Sequence, residues 1–172
     1  MLRRILALAF CSAAACASAQ VIPDPASEWQ ESEAPPPPAL RTQGLVPVEV
    51  RRTGSMEFGV DSASITVGSD RVVRYVVVAR SPSGTVNGMY EGIRCDTGEV
   101  KVYARHNPSS GWVRVSDPQW QNIFTTANSS HSLAIARSGA CVENAPNVSP
   151  TQIVQDLRAP IERRFQRGGV NQ

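Results

Sequence analysis

Apolar and polar residues alternate with a period of two through the middle of this chain. Val46, Val48 and Val50 alternate with Pro47, Glu49 and Arg51, and Ala63, Ile65 and Val67 alternate with Ser62, Ser64 and Thr66. That period puts successive side chains on opposite faces of a strand. Arg71 to Arg80 (RVVRYVVVAR) is different. Val73, Tyr75, Val77 and Ala79 make one face and Val72, Val76 and Val78 the other, so both faces are apolar and the segment reads as a central strand. Gly68-Ser69-Asp70 is turn chemistry, which predicts an antiparallel hairpin into it. Val86 to Cys95 and Glu99 to Arg105 form a second predicted pair, turned at Asp96-Thr97-Gly98, and Trp112 to Val115 a short strand.

The period then lengthens. Ser116 or Asp117 can cap a helix with Pro118 in its first turn, and Trp120, Ile123, Phe124 and Ala127 fall at i, i+3, i+4 and i+7. Leu133 to Cys141 fits either a strand or a helix. Ser149 caps a later helix with Pro150 at its first position; Ile153, Val154 and Leu157 form its stripe and Pro160 ends it. Strands first and helices later predict an α+β domain over residues 45–160: an antiparallel sheet of about five to six strands with two or three helices on one face.

The flanks read differently. Residues 1–19 have the form of a secretory signal peptide: Arg3 and Arg4, a short apolar run, then Ala17-Ser18-Ala19 as a small-x-small cleavage site. The run is too short to span a membrane. Cleavage before Cys16, with lipid anchoring through it, is the alternative, although Ala13-Ala14-Ala15 is a poor lipoprotein box. Residues 20–44 are acidic and contain Pro35-Pro36-Pro37-Pro38, so a disordered, Pro-rich spacer is expected, with a chain beginning near Gln43 folding as well as the whole. Trp29, its one aromatic residue, either docks on the domain or is an exposed anchor. Residues 161–172 read as a basic, flexible tail.

Export changes what composition means. The chain carries 17 Lys+Arg against 15 Asp+Glu, and losing Arg3 and Arg4 makes it neutral. A neutral chain has no global electrostatic reason to bind nucleic acid. Cys11 and Cys16 leave with the signal, while Cys95 and Cys141 remain as a pair in an oxidising compartment, which reads as a structural disulfide. In the chain-entropy picture a loop of that length is stabilised by about 4 kcal/mol.

The segment Asp61 to Ala104 resembles the central part of the cryptic neisserial protein family, small exported proteins of Gram-negative bacteria. The Asp61-x-Ala63-Ser64 hairpin, Arg71-Val72-Val73-Arg74-Tyr75 and above all Tyr90-Glu91-Gly92-Ile93-Arg94-Cys95 carry the resemblance. Trp112, Trp120, Cys141 and Leu157-Arg158 fit the same pattern, which runs from about Trp29 to Arg158. The resemblance implies a periplasmic single-domain protein, some of whose relatives look like lipoproteins. It implies no activity and no catalytic residues.

Nucleophile-elbow, zinc-protease, P-loop and dinucleotide motifs are missing from the chain, so no catalytic residue, metal ligand or cofactor is assigned. His106 and His131 stand alone beside loop residues. Glu91 and Arg94 are three apart on a strand and so point to opposite faces. Trp112, Tyr75, Tyr90 and Tyr103 either line a face that stacks on sugars or peptides or belong to the core. The leading expectation is a non-enzymatic envelope protein that binds another envelope protein or a cell-wall component, with Tyr90, Glu91, Arg94 and Trp112 as candidate contacts. Two alternatives stay open: a small hydrolase using Glu91, His106 or His131, and a small-ligand carrier with a cavity between sheet and helices.

Overall fold

The computed structural model describes residues 29–50, 55–126 and 129–160. The predicted signal peptide, the first residues of the expected spacer and the basic tail lie outside the described residues. The β-branched runs form strands, as their period requires. They are β1 (Val46–Val48), β2 (Glu57–Val60), β3 (Thr66–Val67), β4 (Val72–Arg80), β5 (Val86–Arg94), β6 (Glu99–Asn107), β7 (Gly111–Arg114) and β8 (Gln121–Asn122). All pair antiparallel along the path β1-β2-β4-β5-β6-β7. Two short strands share edges with longer ones. β3 lies beside the first half of β4, and β8 beside the first residues of β6.

One face of this sheet carries the helices. α1 (Ser130–Ile135) runs into a wide turn at Ala136–Ala140, and α2 (Pro150–Arg158) follows the small hairpin of β9 (Cys141–Val142) and β10 (Ala145–Pro146). α2 begins as its sequence predicts: the Ser149 side chain accepts from Gln152 N at 3.1 Å, and Pro150 opens the first turn. Its buried Ile153 and Leu157 join Val73, Tyr75, Val77 and Ile93 in the main core. Cys95, after β5, is bonded to Cys141 of β9, with Cα atoms 5.7 Å apart. The disulfide therefore ties the end of a central strand to the helical layer.

Two expected elements are absent. No helix forms at residues 118–126. Gln121 and Asn122 pair with Val100 and Glu99, Asn122 Oδ1 accepts from Phe124 N at 2.9 Å, and Ile123 N donates to Gly98 O at 3.0 Å. These bonds turn Ile123 into the core and leave Phe124 61% exposed, so the apparent stripe is split. Ala127, its last member, lies outside the described residues. Residues 62–64 likewise form a 3₁₀ turn rather than a strand, because the Asp61 carboxylate accepts from Ala63 N and the Ser64 hydroxyl donates to Asp61 O. Gly98, at φ 63°, closes the β5–β6 turn in the left-handed region, where a side chain would also meet the Phe124 ring.

The second face of the sheet is covered by the proline-rich segment. Residues 29–44, expected as a disordered spacer, have no regular secondary structure but cross the sheet in contact with it. Ala34, Leu40 and Leu45 pack on buried Val76, Val78, Tyr90 and Ala104. Gly88 makes room: a side chain there would meet Leu40 at 2.6 Å. β4 is thus buried on both faces, as its sequence predicts.

Two stability predictions follow from that layering. Val76 and Val77 point to opposite faces and are both 0% exposed, so Val76→Asp and Val77→Asp should each cost at least about 3 kcal/mol. Near-equal losses in denaturant midpoint are expected, and tolerance of Val76→Asp would show the second face to be open. A chain beginning at Gln43 should melt about 10 °C or more below the whole protein, because the apolar cover is gone; an unchanged melting temperature would restore the spacer reading.

Candidate functional site

Two polar clusters lie on opposite faces of β4 and β5. The inner one surrounds Glu91. A carboxylate on a central strand must find donors, and three reach it: His131 Nε2 at 2.9 Å, the Tyr75 hydroxyl at 3.0 Å and the Ser132 hydroxyl at 3.1 Å. His131 also stacks on Phe58, with ring centroids 5.0 Å apart and planes 5° from parallel. Burial pushes the Glu91 carboxyl up, but the electrostatic attraction of the His131 ring and the bonds from His131, Tyr75 and Ser132 outweigh it, leaving the group below the usual carboxylate range. Burial, with the Glu91 charge beside it, drives the Tyr75 hydroxyl well above the usual tyrosine range. Glu91 and His131 do meet, as a hydrolase would require. Yet Glu91, Tyr75 and Ser132 are each 1% exposed and His131 5%. In this structure the carboxylate and the imidazole are closed off from solvent. The cluster holds α1 to the sheet.

The outer cluster is built around residues 29–32. Arg74, alone among the apolar residues of β4, is 2% exposed and grips Asp70 through both terminal nitrogens, at 2.6 and 3.1 Å. Burial opposes the charges, but the pairing holds Asp70 below its ordinary value and Arg74 above its own. Asp70 then receives the Ser32 N–H at 2.9 Å, and Arg74 donates to the Ser32 carbonyl at 3.1 Å. Beside them the Glu31 carboxylate accepts from Lys101 at 2.6 Å, the Tyr103 hydroxyl at 2.7 Å and the Trp120 indole at 3.1 Å. Arg74 lies 3.9 Å away. Burial raises the Glu31 carboxyl, and these donors and the Lys101 charge more than offset that, so its pKa lies below the ordinary 4.5. The Tyr103 hydroxyl is pushed far up by burial and by the bond it gives Glu31.

Trp29 docks. Its ring lies 3.6 Å from the Arg94 guanidinium carbon and meets Trp120 edge-on at 5.9 Å, and its indole N–H donates to Asp70 O at 2.9 Å. Further along, Trp112 donates to Pro38 O at 2.7 Å, and Arg41 forms a two-bond pair with Asp61 at 2.8 and 3.0 Å.

The expected contact residues are therefore divided. Tyr90, Arg94 and Trp112 lie on the outer face under or beside the N-terminal segment, while Glu91 lies on the inner face, opposite to Arg94 as the strand period predicts. Arg94 pairs with Asp96 and Glu99 instead. Of the four aromatics considered together, Tyr75 belongs to the inner face and Tyr90, Tyr103 and Trp112 to the outer. His106 packs edge-on against Trp112 at 5.2 Å, far from His131 in the fold. Glu31, Lys101 and Trp120 were not legible as site residues. The available signal was Arg74, a charge inside an apolar strand that needs an acidic partner.

A cleft of about 720 Å³ lies elsewhere, between the β5–β6 turn and the helical layer, walled in part by the disulfide, Ile123, Phe124, Leu133, Arg137 and Val142. Among the described residues no three His, Cys, Asp or Glu side chains gather as a metal site, and no helix is long and apolar enough to cross a membrane.

The sequence model of the CNP1-like family matches residues 24–158, and the chain belongs to that family. No curated protein and no solved structure matches it.

Two variants separate the clusters. Glu91→Ala leaves three buried donors without an acceptor and should cost about 3 kcal/mol or more, read from the denaturant midpoint. A loss below about 1 kcal/mol would mean the network is open to water. Glu31 is expected to show in pH dependence. Its native pKa is below 4.5, so its contribution is fully present above that pH and fades as pH falls through the native value. Glu31→Gln should therefore be less stable than the native chain near neutrality, with the gap closing as pH is taken below 4.5 and through the native value. A gap that is constant with pH would contradict the charged contact.

Proposed function

We propose that this member of the CNP1-like family is a non-enzymatic interaction module of the periplasm, exported by the signal at residues 1–19 and binding a protein or cell-wall component of the envelope. One observation carries the reading. The sheet's outer face grips a segment without regular secondary structure through side-chain seats, with no strand pairing, which is how a recognition surface treats a polypeptide. The disulfide supports the oxidising compartment. The hydrolase alternative is weakened by the enclosure of Glu91 and His131. The carrier alternative draws on the cleft, whose volume suits a small molecule and whose Phe124 is exposed.

The test is photo-crosslinking in living cells from two exposed positions, Val113 on β7 and Phe124 at the cleft. A discrete protein or glycan adduct from either position is the expected result. Absence of adducts from both, with the protein in the periplasmic fraction, would contradict the interaction reading. A small molecule that copurifies and is lost on replacing Phe124 with Asp would favour the carrier.

A further inference from the structure

We propose that the outer face is a recognition site for an extended polypeptide that carries an aromatic residue, an acidic residue two positions later and a proline-rich stretch beyond, and that residues 29–42 of this chain fill it in cis. The inference rests on the interaction-module reading and names the chemistry of the partner. The cis segment is the template. Its carboxylate seat gathers Lys101, Tyr103 and Trp120 within 3.1 Å of the Glu31 oxygens, with Arg74 behind them. Its aromatic seat lays Trp29 on Arg94 and against Trp120. In an extended chain residues two apart point the same way, about 6.6 Å apart. Trp29 and Glu31 both reach Trp120, so the two seats read one register.

The backbone contacts fit the same ligand. The site takes the N–H and C=O of Ser32 and the carbonyl of Pro38. A proline has no N–H to leave unpaired and is already extended before binding, so a proline-rich ligand loses little on docking.

Cover for the apolar face does not explain these seats. Ala34, Leu40 and Leu45 supply the apolar cover on Val76, Val78 and Tyr90. Trp29 and Glu31 lie outside that patch and engage groups that have to be partly desolvated to receive them. Arg74 is held in place by Asp70 of the preceding turn, at 2.6 and 3.1 Å, so the guanidinium beneath the seat is positioned by the fold itself. Because the segment forms no ladder with any strand, it can leave while the pairings from β1 to β7 stay closed. A partner segment with the same two anchors would then meet a preformed site, in competition with a tethered copy whose effective concentration is in the millimolar range, of order 1 mM.

The experiment uses the full mature chain and a fluorescent probe peptide of residues 29–42, read by anisotropy. The recipient is Trp29→Ala/Glu31→Ala, which empties both seats in cis. Saturable binding to this variant is expected, with binding at least about tenfold weaker to the native chain, whose seats are occupied. Replacing the probe's own Glu31 by Gln, or its Trp29 by Ala, should weaken binding at least about tenfold, as should Lys101→Ala in the recipient. A folded recipient that fails to bind the probe overturns the inference, as does equal binding to native and variant chains, or binding indifferent to the probe's Glu and Trp. If the double variant does not melt cooperatively, Glu31→Gln alone is the recipient and the same comparisons decide. Should probe binding fail while Val113 or Phe124 still crosslinks in cells, the interaction module stands and the peptide site falls; failure of both removes both.

Discussion

A strand that is apolar on both faces loses stability in a sheet with one face in water. β4 is such a strand, and the rest of the molecule answers that constraint. Three neighbouring strands protect its edges. α1, α2 and the turn between them cover Val73, Tyr75 and Val77, and the disulfide fastens that layer to the end of β5. Among the described residues no further helical layer is left for Val76 and Val78. The described N-terminal segment takes that place, held by Leu40 in the space that Gly88 leaves and by polar contacts at either end. A segment rich in proline suits the task, because it lies extended without asking the sheet for a further strand.

The same layering decides the chemistry. Glu91 and Arg74 are expensive to bury, and each takes part of its matching donors or acceptors from the layer above it. Glu91 faces the helices and is closed in by His131, Ser132 and Tyr75, and these bonds fasten α1 to the sheet. Arg74 faces the N-terminal segment and is closed in by Asp70, Ser32 and Glu31. The difference is the cover. Helices tied by a disulfide give Glu91 no access, whereas an unpaired segment can leave Arg74 and Lys101 facing a ligand.

The sequence was legible where local rules and tertiary structure agree. β4 and β5 follow their period, α2 follows its Ser149-Pro150 start, and Cys95 and Cys141 pair as expected, whereas a bulge opposite Tyr90 and Glu91 breaks the period of β6 and puts Val100 on the inner face and Ala104 on the outer. It misled where a side chain offered the backbone another bond. Asn122 and Asp61 each capture a nearby N–H, and the helix expected at 118 and the strand expected at 63 are lost to a turn. Contacts between distant segments left no periodic trace. Glu91 and His131 are 40 residues apart, and Glu31 and Trp120 are 89 apart. Only the need of a charge in an apolar strand for a partner hinted at them. The proline run concealed the docking most completely, since its composition is that of a linker.

The central claim is that the N-terminal segment is seated on the sheet yet separable from it. Native-state amide hydrogen exchange tests this directly at Ser32, whose N–H is held by Asp70 at 2.9 Å. The account predicts that Ser32 is protected, but less than the ladder amides of β4, and that Glu31→Gln speeds its exchange at least about tenfold while β4 is nearly unchanged. An unprotected Ser32 in the native chain would mean that the segment is not seated. Ser32 and β4 amides changing together would mean that it is an inseparable part of the fold, and either result would contradict the account.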